Sequence, residues 1–256
     1  MTKIATWNVN SVKARLPHLV DWLKTASPDV VLLQEIKCVT EEFPRLEVEA
    51  AGYCCEVIGQ KAYNGVAIVA KQKISDVIYE LPGGADDDHA RYIEGTVGDV
   101  RVASIYLPNG NPIDSPKFAY KLGFLERLRV HALGLFASER PVVLGGDYNV
   151  CPTDEDVWDV RAMARDALVQ PETRAAFRKI LHQGWTDAIR TLRPHGRHYT
   201  YWDYFQNRFT RDHGLRIDHL LLSPAAADRL KDAGIDRGPR AKEKASDHTP
   251  VWCELQ

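Results

Sequence analysis

Pro141-Val142-Val143-Leu144-Gly145-Gly146-Asp147-Tyr148-Asn149 is a short apolar run that passes through two glycines to an acid and an amide two positions apart. A run of this length, bounded by glycine, reads as a buried strand that ends at a site. Glycine there lets the backbone bend and lets a ligand come close. In extended chain Asp147 and Asn149 point the same way, because successive side chains alternate. A carboxylate and an amide on one strand tip can share a phosphate, a metal or a water. They can equally form an Asx-turn that closes the strand, so the rest of the chain has to decide.

Working outward, other apolar runs end the same way. Lys3 to Val9 alternates as a strand with Asn8 near its end. Ser11 is placed to cap a helix running to about Thr25, with Val12, Leu16, Leu19, Val20 and Leu23 on one face. Pro28 stops it, and the buried strand Val30-Val31-Leu32-Leu33 then delivers Gln34 and Glu35. Tyr53 to Ile58, Gly65 to Ala70 and Ile74 to Leu81 read as further strands. Arg91 to Val97 and Val100 to Leu107 read as a hairpin around Gly98-Asp99. Ser115 to about Phe136 is helical, with Phe118, Leu122, Leu125 and Leu128 at helical spacing, and Pro171 opens a helix to about His182. Ile217 to Leu222 is a strand carrying Asp218 and His219, and Ser246-Asp247-His248-Thr249-Pro250 precedes the last strand, Val251 to Leu255. Lys231 to Lys244 reads as a basic surface loop. Asp86-Asp87-Asp88 reads as a solvated loop rather than a metal site, because adjacent carboxylates splay apart.

Trp185 to Arg216 is the most unusual stretch. It interleaves Trp185, Tyr199, Tyr201, Trp202, Tyr204, Phe205 and Phe209 with six arginines against three aspartates. Aromatic and basic residues in alternation suit a nucleic-acid strand, or a loop packed on the core.

Composition bounds these readings. The 256 residues are 45% hydrophobic and 27% charged, an ordinary globular balance, with a net charge of -2. Any nucleic-acid surface is therefore a local patch. Five cysteines with no C-x-x-C indicate neither a disulfide framework nor a zinc site, and reduced thiols fit a cytosolic setting. No apolar segment has the length of a signal-peptide core or a membrane span. Strands run from the first residues to the last without a linker, so one domain over residues 1–256 is expected. Strands outnumber helices, which favours α/β architecture of the α+β type, with mixed sheets packed face to face and helices outside.

Asn8, Glu35, Tyr106, Asp147, Asn149, Asp218, Asp247 and His248 all fall at or beside strand ends. Hard oxygen donors match Mg²⁺. An acid beside such an ion can activate water. A histidine held by a second carboxylate stays cationic and can neutralise phosphoryl oxygens. These are the parts of phosphodiester hydrolysis.

The set resembles the endonuclease/exonuclease/phosphatase superfamily, and within it the exonuclease III family of abasic-site endonucleases. The matching stretches are Thr6-Trp7-Asn8-Val9-Asn10, Leu33-Gln34-Glu35-Ile36-Lys37, Asn64-Gly65-Val66-Ala67, Tyr106-Leu107-Pro108-Asn109-Gly110, Gly146-Asp147-Tyr148-Asn149, Leu215-Arg216-Ile217-Asp218 and Ser246-Asp247-His248-Thr249-Pro250. The resemblance implies a four-layer sandwich of two packed mixed β-sheets flanked by helices. It implies one or two Mg²⁺ ions, replaceable by Mn²⁺, held by Glu35 with Asn8, Asp147, Asn149, Asp247 and His248. Asp147 would take the proton of the attacking water and Asn149 would position it. His248, held by Asp218, and Tyr106 would face the phosphate. Lys37, Arg91 and Asn109 would contact the DNA backbone. From the aromatic-basic stretch itself, Trp202 is expected to line a pocket for the bare sugar and Phe205 to wedge against the stack, the alternative being that these aromatics are core packing. Tyr201 belongs to the same group.

The implied substrates are duplex DNA with abasic sites or blocked 3′ ends, cut by a monomer in the cytosol. Superfamily phosphatases acting on inositol phosphates or phospholipids share Asp147, Asn149 and His248. They carry Trp-Cys-Asp-Arg where this chain has Leu215-Arg216-Ile217-Asp218, which argues for DNA. A non-catalytic nucleic-acid module would be marked by missing carboxylates, and none is missing.

Overall fold

The computed structural model describes residues 1–84 and 87–256. Two six-stranded sheets pack face to face. The first holds β1 (Thr2–Asn8), β2 (Val30–Gln34), β3 (Cys54–Ile58), β4 (Val66–Ala70), β11 (Leu230–Ile235) and β12 (Val251–Leu255), in the order β11-β12-β1-β2-β4-β3. The second holds β5 (Ile74–Ile78), β6 (Tyr92–Val97), β7 (Val100–Tyr106), β8 (Val142–Asp147), β9 (Thr186–Asp187) and β10 (Asp218–Leu222), in the order β5-β6-β7-β8-β10-β9. The helices are α1 (Val12–Ala26), α2 (Arg45–Ala50), α3 (Pro116–Ala137), α4 (Pro171–Leu181), α5 (Ala188–Leu192) and α6 (Pro224–Ala227). Among the described residues the parallel pairs are β1/β2 and β7/β8, crossed over by α1 and α3, and the rest are antiparallel.

The layers follow from alternation. Ile4, Val30, Leu32, Ile68, Val102 and Val143 point between the sheets. Their neighbours Ala5, Trp7, Val31 and Leu33 point outward onto Leu19, Trp22 and Leu23 of α1. In the second sheet Val142 and Leu144 point outward onto Phe124, Leu125 and Leu128 of α3 and Phe177 of α4. Central strands are thus covered on both faces, which is why they read as unbroken apolar runs.

Gly145 and Gly146 have a different reason from the one expected. A Cβ on Gly145 would lie 2.6 Å from Leu32 Cδ1 of the facing sheet, and one on Gly146 would lie 2.0 Å from the Ile105 carbonyl oxygen. They permit close packing within and between sheets rather than ligand approach. A buried polar clasp sits beside them. Gln34 Nε2 donates to Ser104 Oγ at 2.9 Å across the sheets, Ser104 Oγ donates to the Leu33 carbonyl at 2.8 Å, and Thr6 Oγ1 donates to Gln34 Oε1 at 3.2 Å.

Some local readings are corrected. Ser11 makes no capping hydrogen bond, and its φ of 85° turns the chain sharply before α1. The span 231–244 is not all loop, since 230–235 pairs with β12 as an edge strand. Its charged Lys231 and Asp232, with a bulge between Leu230 and Asp232, disguise it. Asp86 of the acidic run lies outside the described residues. Asp87 pairs with Arg127 and also accepts from Tyr120.

Candidate active site

Register brings the chemistry together. Asp147 at the end of β8 lies opposite Tyr106 at the end of parallel β7 and opposite Asp218 at the start of antiparallel β10. In the other sheet Asn8 pairs with Gln34, so Glu35 leaves at the same rim, and β12 enters there just after His248. The chain bends sharply at these exits: Asn10, Glu35, Lys37, Asn64 and Asn149 all have φ between 45° and 53°. Non-glycine residues rarely adopt that region, and they collect at functional sites.

Asp147 is 1% exposed and sits at the centre. Its Oδ2 accepts from Asn8 Nδ2 at 2.9 Å, and its Oδ1 accepts from the Asn149 backbone N–H at 2.9 Å. The Asx-turn of the strand exit is therefore real and is part of the site. Burial pushes the Asp147 carboxyl above its usual range, against the pull of His248. Asn8 Nδ2 also donates to Glu35 Oε1 at 2.8 Å. Burial would raise the Glu35 carboxyl, but Lys37, with Nζ at 2.9 Å, and Asn8 hold it below its usual range.

His248 Nδ1 lies 2.9 Å from Asp218 Oδ2, and its Nε2 lies 3.7 Å from Asp147 Oδ2. Burial opposes charge on the ring, yet Asp218 and Asp147 more than reverse this and raise its pKa to about 10. The same Asp218 Oδ2 also accepts from Thr200 Oγ1 at 2.6 Å. Tyr106 is held neutral by burial and by the charges of Glu35 and Asp147. Asn149 gives its Nδ2 to the Leu107 carbonyl and accepts from Asn109 Nδ2 at 3.1 Å. Asp247 Oδ1 accepts from Asn10 Nδ2 at 3.0 Å, and Lys37 Nζ donates to Asn10 Oδ1 at 2.6 Å. Arg91 lies over the Tyr106 ring, with Cζ 4.7 Å from its centre.

Glu35, Asp147 and His248 place ligand atoms within 4.8 Å of one another. Two carboxylates converging at this point suit a hard cation. His248 is the third member of this cluster, with Nδ1 turned to Asp218 and Nε2 toward Asp147. Asn8 turns its amide N–H groups to both carboxylates while its Oδ1 accepts from the Asn10 backbone at 3.0 Å. It orients both carboxylates.

The centre opens into a cavity of about 290 Å³. One wall is Glu35, Tyr106, Asp147, Asn149, Asp247 and His248. The rest of the lining mixes apolar Trp158, Met163, Leu168, Tyr201, Leu215 and Ile217 with polar Asp166, Asp203, Arg208 and His213. Trp202 is not on that wall. It is 0% exposed, donates Nε1 to Asp212 at 3.1 Å and packs edge-on against Phe209. The backbone explains this: Tyr201 forms bridges to both Leu215 and His248, so Tyr201 faces the site and its neighbour faces the core. Phe205 is 74% exposed at the loop tip. The arginines of this stretch do not form one basic face either. Buried Arg216 holds Asp156 and Asp187 at 2.6 and 2.7 Å, and Arg190 also turns to Asp156.

Sequence reasoning missed Trp158, Leu168 and Met163, and it missed Lys121. Lys121 is 0% exposed and donates to the carbonyls of Asn149, Asn109 and Pro108 at 2.6, 3.0 and 3.3 Å. Burial pushes its pKa down to about 7. Its spacing from Leu125 and Leu128 on the apolar stripe of α3 was the available signal.

This architecture, with carboxylates and an imidazolium at the rim of two stacked sheets, defines a class. Residues 5–248 match the endonuclease/exonuclease/phosphatase family model, and the chain belongs to that family. Within the family its likeness is to the exonuclease III type of abasic-site endonuclease. It is 32% identical to exodeoxyribonuclease III of Haemophilus influenzae, over 99% of this chain and 100% of that one. The 3′ phosphatase NExo from Neisseria, solved bound to product DNA hairpin, superposes with a TM-score of 0.97 at 40% identity over 100% of both chains. An AP endonuclease from Archaeoglobus fulgidus superposes with a TM-score of 0.96 at 36% identity, also over 100% of both.

Proposed function

We propose that this protein is a Mg²⁺-dependent DNA repair nuclease that hydrolyses the phosphodiester 5′ to abasic sites and cleans blocked 3′ ends. The observation that carries the reading is the buried Asp147 carboxylate, 3.7 Å from a histidine that Asp218 keeps cationic, at the mouth of a half-apolar cavity. A carboxylate whose burial raises its proton affinity is poised as a general base for water. The imidazolium neutralises charge that develops on the phosphoryl oxygens. Glu35 and Asp147 would hold the ion, which supplies Lewis-acid stabilisation of the phosphate when bound. Asn8 aligns both carboxylates, and Asn149 is fixed by Leu107 and Asn109 to meet the phosphate. Tyr201, Leu215 and Ile217 present an apolar wall that suits a sugar without its base, which unstacks at lower cost than a normal nucleotide.

Similarity to a 3′ phosphatase bound to DNA supports 3′-phosphate removal as a companion activity. The test is incubation of the purified protein with Mg²⁺ and four substrates: a duplex with one abasic analogue, an intact duplex, a 3′-phosphorylated duplex and an inositol phosphate. Incision beside the abasic analogue is the expected result. Turnover of the inositol phosphate alone would overturn the reading.

A further inference from the structure

Trp158, His213 and Arg208 form a stack on the cavity rim that no role above uses. The Trp158 and His213 rings lie 4.3 Å apart at 11°, and the Arg208 Cζ lies 4.7 Å from the Trp158 ring centre. The stack is built on backbone. The Trp158 N–H donates to the Gly214 carbonyl at 3.1 Å, and Val157 bridges to Leu215. All three side chains line the cavity that contains Asp147 and His248.

Arg208 differs from two other arginines of its stretch. Arg190 and Arg216 are bound to carboxylates. Among the described residues Arg208 has no acidic partner, and its side-chain hydrogen bond is to Gln206 Oε1 at 3.3 Å. Resting a guanidinium on an indole fixes its plane without neutralising its charge. Arg91 is mounted in the same way on Tyr106. Strand order runs β6-β7-β8-β10. Arg91 precedes β6, Asp147 ends β8 and Arg208 lies in the loop that enters β10. The two mounted arginines therefore come from segments that lead into strands on either side of β8, which carries Asp147.

We propose that Arg208 is a second backbone clamp on the strand being cut, contacting a phosphate on the side of the centre away from Arg91, with Trp158 as its positioning residue. The assignment rests on the nuclease reading above. It is tested by anisotropy of a labelled duplex bearing an abasic analogue, in EDTA across a salt series. Loss of one phosphate contact lowers the slope of log K against log salt by about 0.9. Arg208→Ala is expected to lose that much slope and to raise KM more than it lowers kcat. Arg208→Lys is expected to keep the slope and bind more weakly, because a flexible ammonium replaces a stacked plane. Trp158→Ala is expected to weaken binding in the unaltered background and to add little on top of Arg208→Ala, and Trp158→Phe to recover part of the loss. A full slope in Arg208→Ala overturns the clamp. Equal effects of Trp158→Ala in both backgrounds overturn the mounting. An unaltered protein that fails to cut the duplex with Mg²⁺ takes down the nuclease reading, and this assignment with it.

Discussion

Asp147 carries two duties at one atom pair: Oδ1 closes the strand exit through the Asn149 N–H, and Oδ2 faces Asn8 and His248. Asp147→Asn keeps the shape and removes the base. Its expected effect is a drop of ~10²–10⁴ in single-turnover rate, with DNA binding retained, and near-normal turnover would show that another group takes the proton. His248 supplies a pH prediction. Its folded pKa is raised above the ordinary ~6.5 of histidine to about 10 by Asp218 and Asp147 against burial. Stability from this pair is therefore complete below the unfolded pKa and is lost as pH rises toward the folded one. Asp218→Asn should move the alkaline fall of both activity and melting temperature to lower pH. Identical profiles would mean the carboxylate does not hold the ring in solution. The residues of this cluster were legible because each falls at or beside the end of an apolar run. Which of Tyr201 and Trp202 meets the ligand was not. That choice is set by bridges from Tyr201 to residues 215 and 248, which lie too far along the chain for local alternation to reveal.

At the scale of elements, the loop from 199 to 217 packs around a buried tryptophan of its own. Trp202 is its core, with Phe209 edge-on, Asp212 on its indole N–H and Arg237 over its ring at 4.7 Å. Trp202→Ala should cost ~3–5 kcal/mol and lower abasic and intact cleavage together. Tyr201→Ala should instead reduce preference for the abasic duplex with a smaller loss of melting temperature. The reverse pattern, a stable Trp202→Ala with altered preference, would return the pocket to Trp202. Helix α3 shows the same limit on legibility. Its apolar stripe and its Ser115 cap are plain in the sequence, and Ser115 Oγ does accept from the Lys117 N–H. A lysine on that stripe is plain as well, but the three carbonyls that justify it come from loops after β7 and β8.

For the whole molecule, the central strands could be read because burial on both faces leaves a continuous apolar signature. The edge strands β9 and β11 could not, because one is two residues long and the other is charged. The centre takes Glu35 from one sheet and Asp147 from the other, so a bound ion would tie the layers together. Mg²⁺ at 100 times its Kd should then stabilise the fold by about 2.7 kcal/mol, read as a rise in melting temperature. Glu35→Gln should abolish most of that rise, and an equal rise in that variant would place the ion elsewhere.

The clasp of Gln34, Ser104 and Thr6 keeps those two layers in fixed alignment, yet the pairing of β12 between β1 and β11 is what completes the first of them. Asp247 and His248 stand immediately before that strand. During synthesis, the acids at 35 and 147 leave the ribosome long before the imidazole that works with them. A nascent chain is thus a nuclease without its cation and with one side of β1 unpaired. Completion of the first sheet and completion of the centre are therefore one event.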